Sequence, residues 1–127
     1  MEKETKWGSK AKKYMDDSEK AQDLLKRATR KAEGRKGPLE EIWDGLMLMF
    51  GLLGDWIAGK YKDVSWQTIG LIVVGLIYFV SPLDIIPDIL GPLGLGDDAV
   101  VLGLIIAQIK HEIDSYSIWK KMRHEQA

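Results

Sequence analysis

Cysteine and asparagine are both absent from this chain. Without cysteine there is no disulfide framework and no thiolate to act as nucleophile or metal ligand, and cysteine usage leaves the compartment open. Without asparagine there is no glycosylation sequon. Histidine is scarce, with only His111 and His124. His111-Glu112 opens like a zinc-protease helix, but Ser115 stands where the second histidine is required and His124 lies too far along, so both histidines are expected at the surface. Positive charge is scarce in the middle of the chain. Residues 39–109 hold two Lys/Arg against nine Asp/Glu, whereas residues 1–38 hold twelve against seven and the last eighteen residues carry a balance of +1. The net charge of −1 therefore conceals basic ends around an acidic, apolar centre.

What the centre does contain is a cluster of chain breakers and carboxylates between Tyr78 and Asp98. This stretch, YFVSPLDIIPDILGPLGLGDD, holds three of the four prolines and four of the nineteen acidic residues. It lies between two uncharged runs, Trp66–Leu83 and Ala99–Ile109. Ser81-Pro82-Leu83-Asp84 has the form of a helix start, with a serine able to accept backbone N–H bonds and proline at the first helical position. Pro87 lacks an N–H and disfavours helix at Ile86, so a short turn should end before Asp88. After the Gly91–Gly96 breaker, Asp97 is placed to cap a new helix and Asp98 to favour its positive end.

The string Tyr78-Phe79-Val80-Ser81-Pro82-Leu83-Asp84-Ile85-Ile86-Pro87-Asp88, with the glycines and Asp97-Asp98 after it, resembles the signature of the YkvA-like family. These are small bacterial proteins grouped as a domain of unknown function. The likeness extends roughly from Trp43 to Trp119, and the central motif shows no departure. The resemblance implies an all-helical, membrane-associated domain and carries no established activity with it.

Around that centre the chain reads as all-α. From about Ser9 to Glu33, Ala11, Tyr14, Met15, Ala21, Leu24, Leu25, Ala28 and Ala32 fall near one face of a single amphipathic helix. Its stripe is thin and rich in alanine. The plain reading is a solvated helix of mixed charge, with packing on the rest of the chain, an anionic lipid surface or a partner as the other uses of the stripe. Gly34–Pro38 reads as a linker, so the organisation expected is a charged N-terminal helix over 1–38 and a YkvA-like helical domain over 39–127. A second helix is predicted from Leu39 to Ala58, closing at Gly59, and a third from Trp66 to Val80 capped by Ser65. The stretch Trp66–Leu83 would measure about 27 Å as a helix, close to the ~30 Å of a bilayer core. It is predicted as a borderline transmembrane helix. A fourth helix is predicted from Asp97 to about Arg123, with Ala99, Gly103 and Ala107 as a small-residue ridge. The third and fourth would form an antiparallel hairpin about the acidic elbow, with the second against both.

Two uses of the elbow follow. Asp84, Asp88, Asp97 and Asp98 could together hold a divalent cation through oxygen ligands or share protons, as in a metal-dependent enzyme or an ion-coupled membrane component. Alternatively, each serves as a cap or a solvated loop residue and the chain is a non-enzymatic module that binds lipid or a partner protein. The Asp spacing is not that of an EF-hand. Gly91–Gly96 lacks the Lys-Ser/Thr ending of a phosphate loop, and Ser81 has no histidine near it in sequence, so neither nucleotide binding nor a serine nucleophile is expected. Nucleic acid is not expected as a partner, because the N-terminal cations are interleaved with acids.

The charged first 38 residues show no secretory leader, so export is not expected. Basic residues at both ends and Trp/Tyr beside the apolar runs predict the cytoplasmic face of a bacterial membrane with both termini cytoplasmic. The alternative is a soluble cytosolic helical domain. Oligomers are compatible with either.

Overall fold

The computed structural model describes residues 2–81 and 98–126. Among them are six α-helices and one short 3₁₀ turn, with no strand, so the all-α expectation holds. We number the helices α1 (Glu2–Met15), α2 (Ser18–Glu33), α3 (Trp43–Ile57), α4 (Trp66–Val80), α5 (Asp98–Gln108) and α6 (Lys110–Gln126).

Helix α4 is the axis of the bundle. Its sequence is apolar on every side, and nine of its residues, among them Ile69, Ile72, Val73, Leu76 and Phe79, are buried. A helix of that kind needs cover all round, which α1, α2, α3 and α5 supply by packing on it. Its start is set by Ser65, whose Oγ accepts the Thr68 N–H at 3.2 Å, as the sequence predicts. Its end is set at Ser81, which leaves helical geometry (φ −135°, ψ 69°) while its N–H still reaches the Ile77 carbonyl at 2.8 Å. The helix is thus fifteen residues long, about 22 Å. This corrects the expected span. No helix among the described residues is long and apolar enough to cross a membrane.

The other helices take fixed directions along α4. Thr68 Oγ1 contacts Glu112 Oε1 at 3.3 Å, and a Cβ placed on Gly75 would meet Ile105 at 2.5 Å. Numbers rise along one chain as they fall along the other, so α4 and α5–α6 are antiparallel, as predicted. Helix α3 instead runs parallel to α5–α6, with Ile42 against Gly103, Gly45 against Ile106 and Gly51 against Tyr116, so the numbers rise together. It contributes Leu46, Met49, Phe50, Leu52 and Leu53 to the core.

Three predicted helices have different limits. The single N-terminal helix is two, broken at Asp16-Asp17, because Asp17 takes an extended conformation and its carboxylate accepts the N–H groups of Glu19 (3.1 Å) and Lys20 (3.2 Å). That is a helix N-cap, which satisfies donors that would otherwise be orphaned. The second predicted helix begins with a 3₁₀ turn at Glu40–Ile42 before α3. The fourth is divided at Ile109, although the bonds Ile109 N–H to Ile105 O and Ile113 N–H to Ile109 O (both 3.0 Å) run straight across. Nothing in the structure explains that irregularity.

The alanine-rich stripe is not solvated. Ala21, Leu24, Ala28 and Ala32 are each 2% exposed or less, and Leu24, Ala28 and Ala32 belong to the same core as α3 and α4. Small side chains let α2 approach closely, and its charged residues other than Lys31 form the outer face.

Candidate functional site

Most of the predicted site falls in the undescribed stretch. Pro82, Asp84, Pro87, Asp88 and Asp97 lie outside the described residues, and Asp98 is described only as the first residue of α5. The expected cation or proton site at the elbow is therefore neither assembled nor dispersed by this structure. Among the described residues, no group of three or more His, Asp or Glu side chains gathers to hold a metal ion. Of the motif, Tyr78 and Ser81 are placed. The Tyr78 side chain is buried at 1% exposure, and Ser81 closes α4 as described above.

A cation meets the same end of α4, which the sequence reading did not find. Lys31 of α2 donates from Nζ to the Phe79 carbonyl at 2.6 Å and stands 5.1 Å from the centre of the Phe79 ring. The last carbonyls of a helix lack intrahelical partners and carry partial negative charge, so an ammonium group there satisfies an acceptor and offsets the dipole. The N-terminal segment is thereby attached to the start of the acidic motif.

At the opposite end of α4 lies a polar and aromatic cluster assembled from α3, the following connection and α6. Tyr116 donates its phenol proton to Asp55 Oδ2 at 2.5 Å. The Tyr116 ring rests on the backbone of Gly51, where any Cβ would come within 2.9 Å of the phenol oxygen. Tyr61 packs edge-on against Tyr116 (5.1 Å between centroids) and tilted against Trp119 (4.9 Å). Lys120 and Arg123 stand over the Tyr116 and Trp119 rings at 5.8 Å and 5.2 Å. Gly59, at φ +77°, turns the chain out of α3 in a conformation that favours glycine. Trp66, the first residue of α4, meets Trp56 edge-on at 5.6 Å.

The electrostatics of this cluster suit holding rather than turnover. Burial, the hydrogen bond to Asp55 and the charge of that carboxylate raise the Tyr116 pKa far above the ordinary phenol range. Tyr61 is also raised, by burial first and then by the negative charges of Asp63 and Glu112. Both phenols therefore stay protonated at neutral pH, and the Tyr116 hydroxyl serves as a hydrogen-bond donor to Asp55.

The family model described as "Protein of unknown function (DUF1232)" matches residues 68–104, from the first turn of α4 into α5. The "Uncharacterized membrane protein YkvA" of Bacillus subtilis (strain 168) is 39% identical over 94 residues, covering 74% of this chain and 85% of the relative. The chain belongs to the YkvA-like family. No solved structure matches it. Within this YkvA-like chain, the family model takes in the buried face of α4 and the undescribed elbow, while Lys31, Asp55, Tyr61 and Tyr116 all lie outside the matched stretch.

Proposed function

We propose that this protein is a membrane-associated, non-enzymatic helical module that binds lipid or a partner protein at the cytoplasmic face of a bacterial membrane. The observation that carries the reading is the relative named a membrane protein, to which the chain is similar over most of both lengths. The basic balance of residues 1–38 and 110–127 supports the cytoplasmic side, where lysine and arginine meet anionic headgroups. The hydrogen bond from the buried Tyr116 to Asp55 supports a structural use for this polar cluster.

Fractionation of cells expressing the full chain tests this. The protein should sediment with membranes, and washes with high salt, carbonate and detergent should show what holds it there. Recovery entirely in the soluble fraction would remove the proposal.

A further inference from the structure

The α3–α4 connection and the end of α6 form a surface of exposed indole, exposed aliphatic side chains and lysines. Trp66 is 61% exposed although it is among the largest apolar side chains in the protein. It is held in place by Trp56 on one side and by the Ser65 cap of α4 on the other. Lys60 and Lys62 flank the buried Tyr61, whose ring touches Trp119 of α6. Because α6 is antiparallel to α4 and Thr68 is level with Glu112, residues 118–123 continue roughly 6–13 Å beyond the start of α4. There Ile118 (60% exposed) and Met122 (56%) alternate with the exposed Lys120, Lys121 and Arg123.

The charge of this end is one-sided. Residues 58–66 and 118–123 contain five Lys/Arg and a single acid, Asp63. The nearby carboxylates of Asp55 and Glu112 are turned to Tyr116 and Thr68. Large apolar side chains at a monomer surface gain nothing from water, and indole with aliphatic side chains ringed by lysine suits the boundary between headgroups and acyl chains. The other basic surface differs. The open groove between α1 and α2 is lined by Lys10, Lys13, Lys20 and Arg27, but also by Glu19 and Asp23, and Arg27 pairs with Asp23 at 3.0 Å.

We infer that this end of the bundle docks on an anionic phospholipid surface, with Trp66, Ile118 and Met122 entering the interface and Lys60, Lys62, Lys120, Lys121 and Arg123 binding headgroup phosphates. The inference rests on the membrane association proposed above and assigns it to one surface and one ligand class. Each lysine close to such a surface contributes about a fivefold factor in partitioning.

The test is co-sedimentation of the full chain with vesicles of phosphatidylglycerol and phosphatidylcholine, and with phosphatidylcholine alone. The wild-type chain should bind the mixed vesicles, bind phosphatidylcholine weakly, and detach as salt rises. Lys60→Gln/Lys62→Gln should weaken binding about thirtyfold, Trp66→Ala should weaken it at all salt concentrations, and Lys13→Gln/Lys20→Gln in the α1–α2 groove should leave it nearly unchanged. Circular dichroism melting identifies any variant that has lost its fold. Equal binding by wild type and by folded Lys60/Lys62 and Trp66 variants would overturn the inference. So would failure of the wild type to bind either vesicle, or binding to native membranes that protease treatment abolishes. In each of those cases recovery in the membrane fraction of cells would leave the broader reading standing.

Discussion

Tyr116 and Asp55, sixty-one residues apart in sequence, share a 2.5 Å hydrogen bond that fixes α6 to the C-terminal turn of α3. The bond matters because the Tyr116 ring is fully buried and its oxygen lies over Gly51, so Asp55 is the acceptor that keeps this hydroxyl from being an unsatisfied group. Tyr116→Phe should therefore lower stability by about 1–2 kcal/mol. Urea unfolding of the two proteins under identical conditions measures it, and an unchanged midpoint would show that the bond adds nothing net.

The same pair predicts a pH dependence. In the folded protein the pKa values of Tyr116 and Tyr61 are raised above the ordinary value of about 10. The neutral phenol is thus favoured by folding, and the contribution is complete below pH ~10 and lost as pH climbs from there toward the folded values. Stability should fall with alkaline titration, and Tyr116→Phe should flatten that fall. Every other side chain is common to both proteins, so the difference between them isolates the phenol.

Leu24 is 1% exposed in the shared core. Leu24→Ala should cost about 2–5 kcal/mol, whereas Lys26→Ala, at an exposed position of the same helix, should stay within about 0.5 kcal/mol. Thermal unfolding of both variants distinguishes a packed α2 from a solvated one. Equal, small effects would mean that α2 is not part of the cooperative unit.

Ser65→Ala removes the hydroxyl that accepts the Thr68 N–H and donates to the Thr68 hydroxyl oxygen at 3.0 Å. The expected loss is about 1 kcal/mol. Ser65→Asp should retain most of the wild-type stability, since a carboxylate also caps and favours the positive end of α4. Chemical denaturation midpoints of the three proteins decide this.

Helix α4 and its cap were legible because Ser65 precedes a long apolar run, which fixes the start, and Ser81-Pro82 breaks that run, which fixes the end. The antiparallel relation of α4 to the C-terminal helices was legible for a related reason, since a short run rich in proline and glycine between two apolar stretches predicts a reversal. Asp16-Asp17-Ser18 was misread. Apolar periodicity continues across it, but two aspartates and a serine compete for backbone donors, and that signal points to a cap. The burial of Ala21, Ala28 and Ala32 was also hidden, because a narrow alanine stripe looks the same whether water or another helix covers it.

The site was less legible than the fold. The four aspartates stand out by composition but lie in or at the edge of the undescribed stretch. Lys31, Asp55 and Tyr116 have no unusual neighbours in sequence, and their partners are set by tertiary packing at separations of 48 and 61 residues. Trp66 did carry a signal, an aromatic at the edge of an apolar run, though only the structure shows it open to solvent.

The near-zero exposure of Ala28 and Ala32 bears on how this protein can vary over time. Where descendants keep α2 seated, those two sites can exchange only among the smallest side chains, while the lysines and glutamates on its outer side can drift. A bulky residue at either site in some lineage would mark a branch in which the N-terminal segment has come away from the bundle or been put to another use.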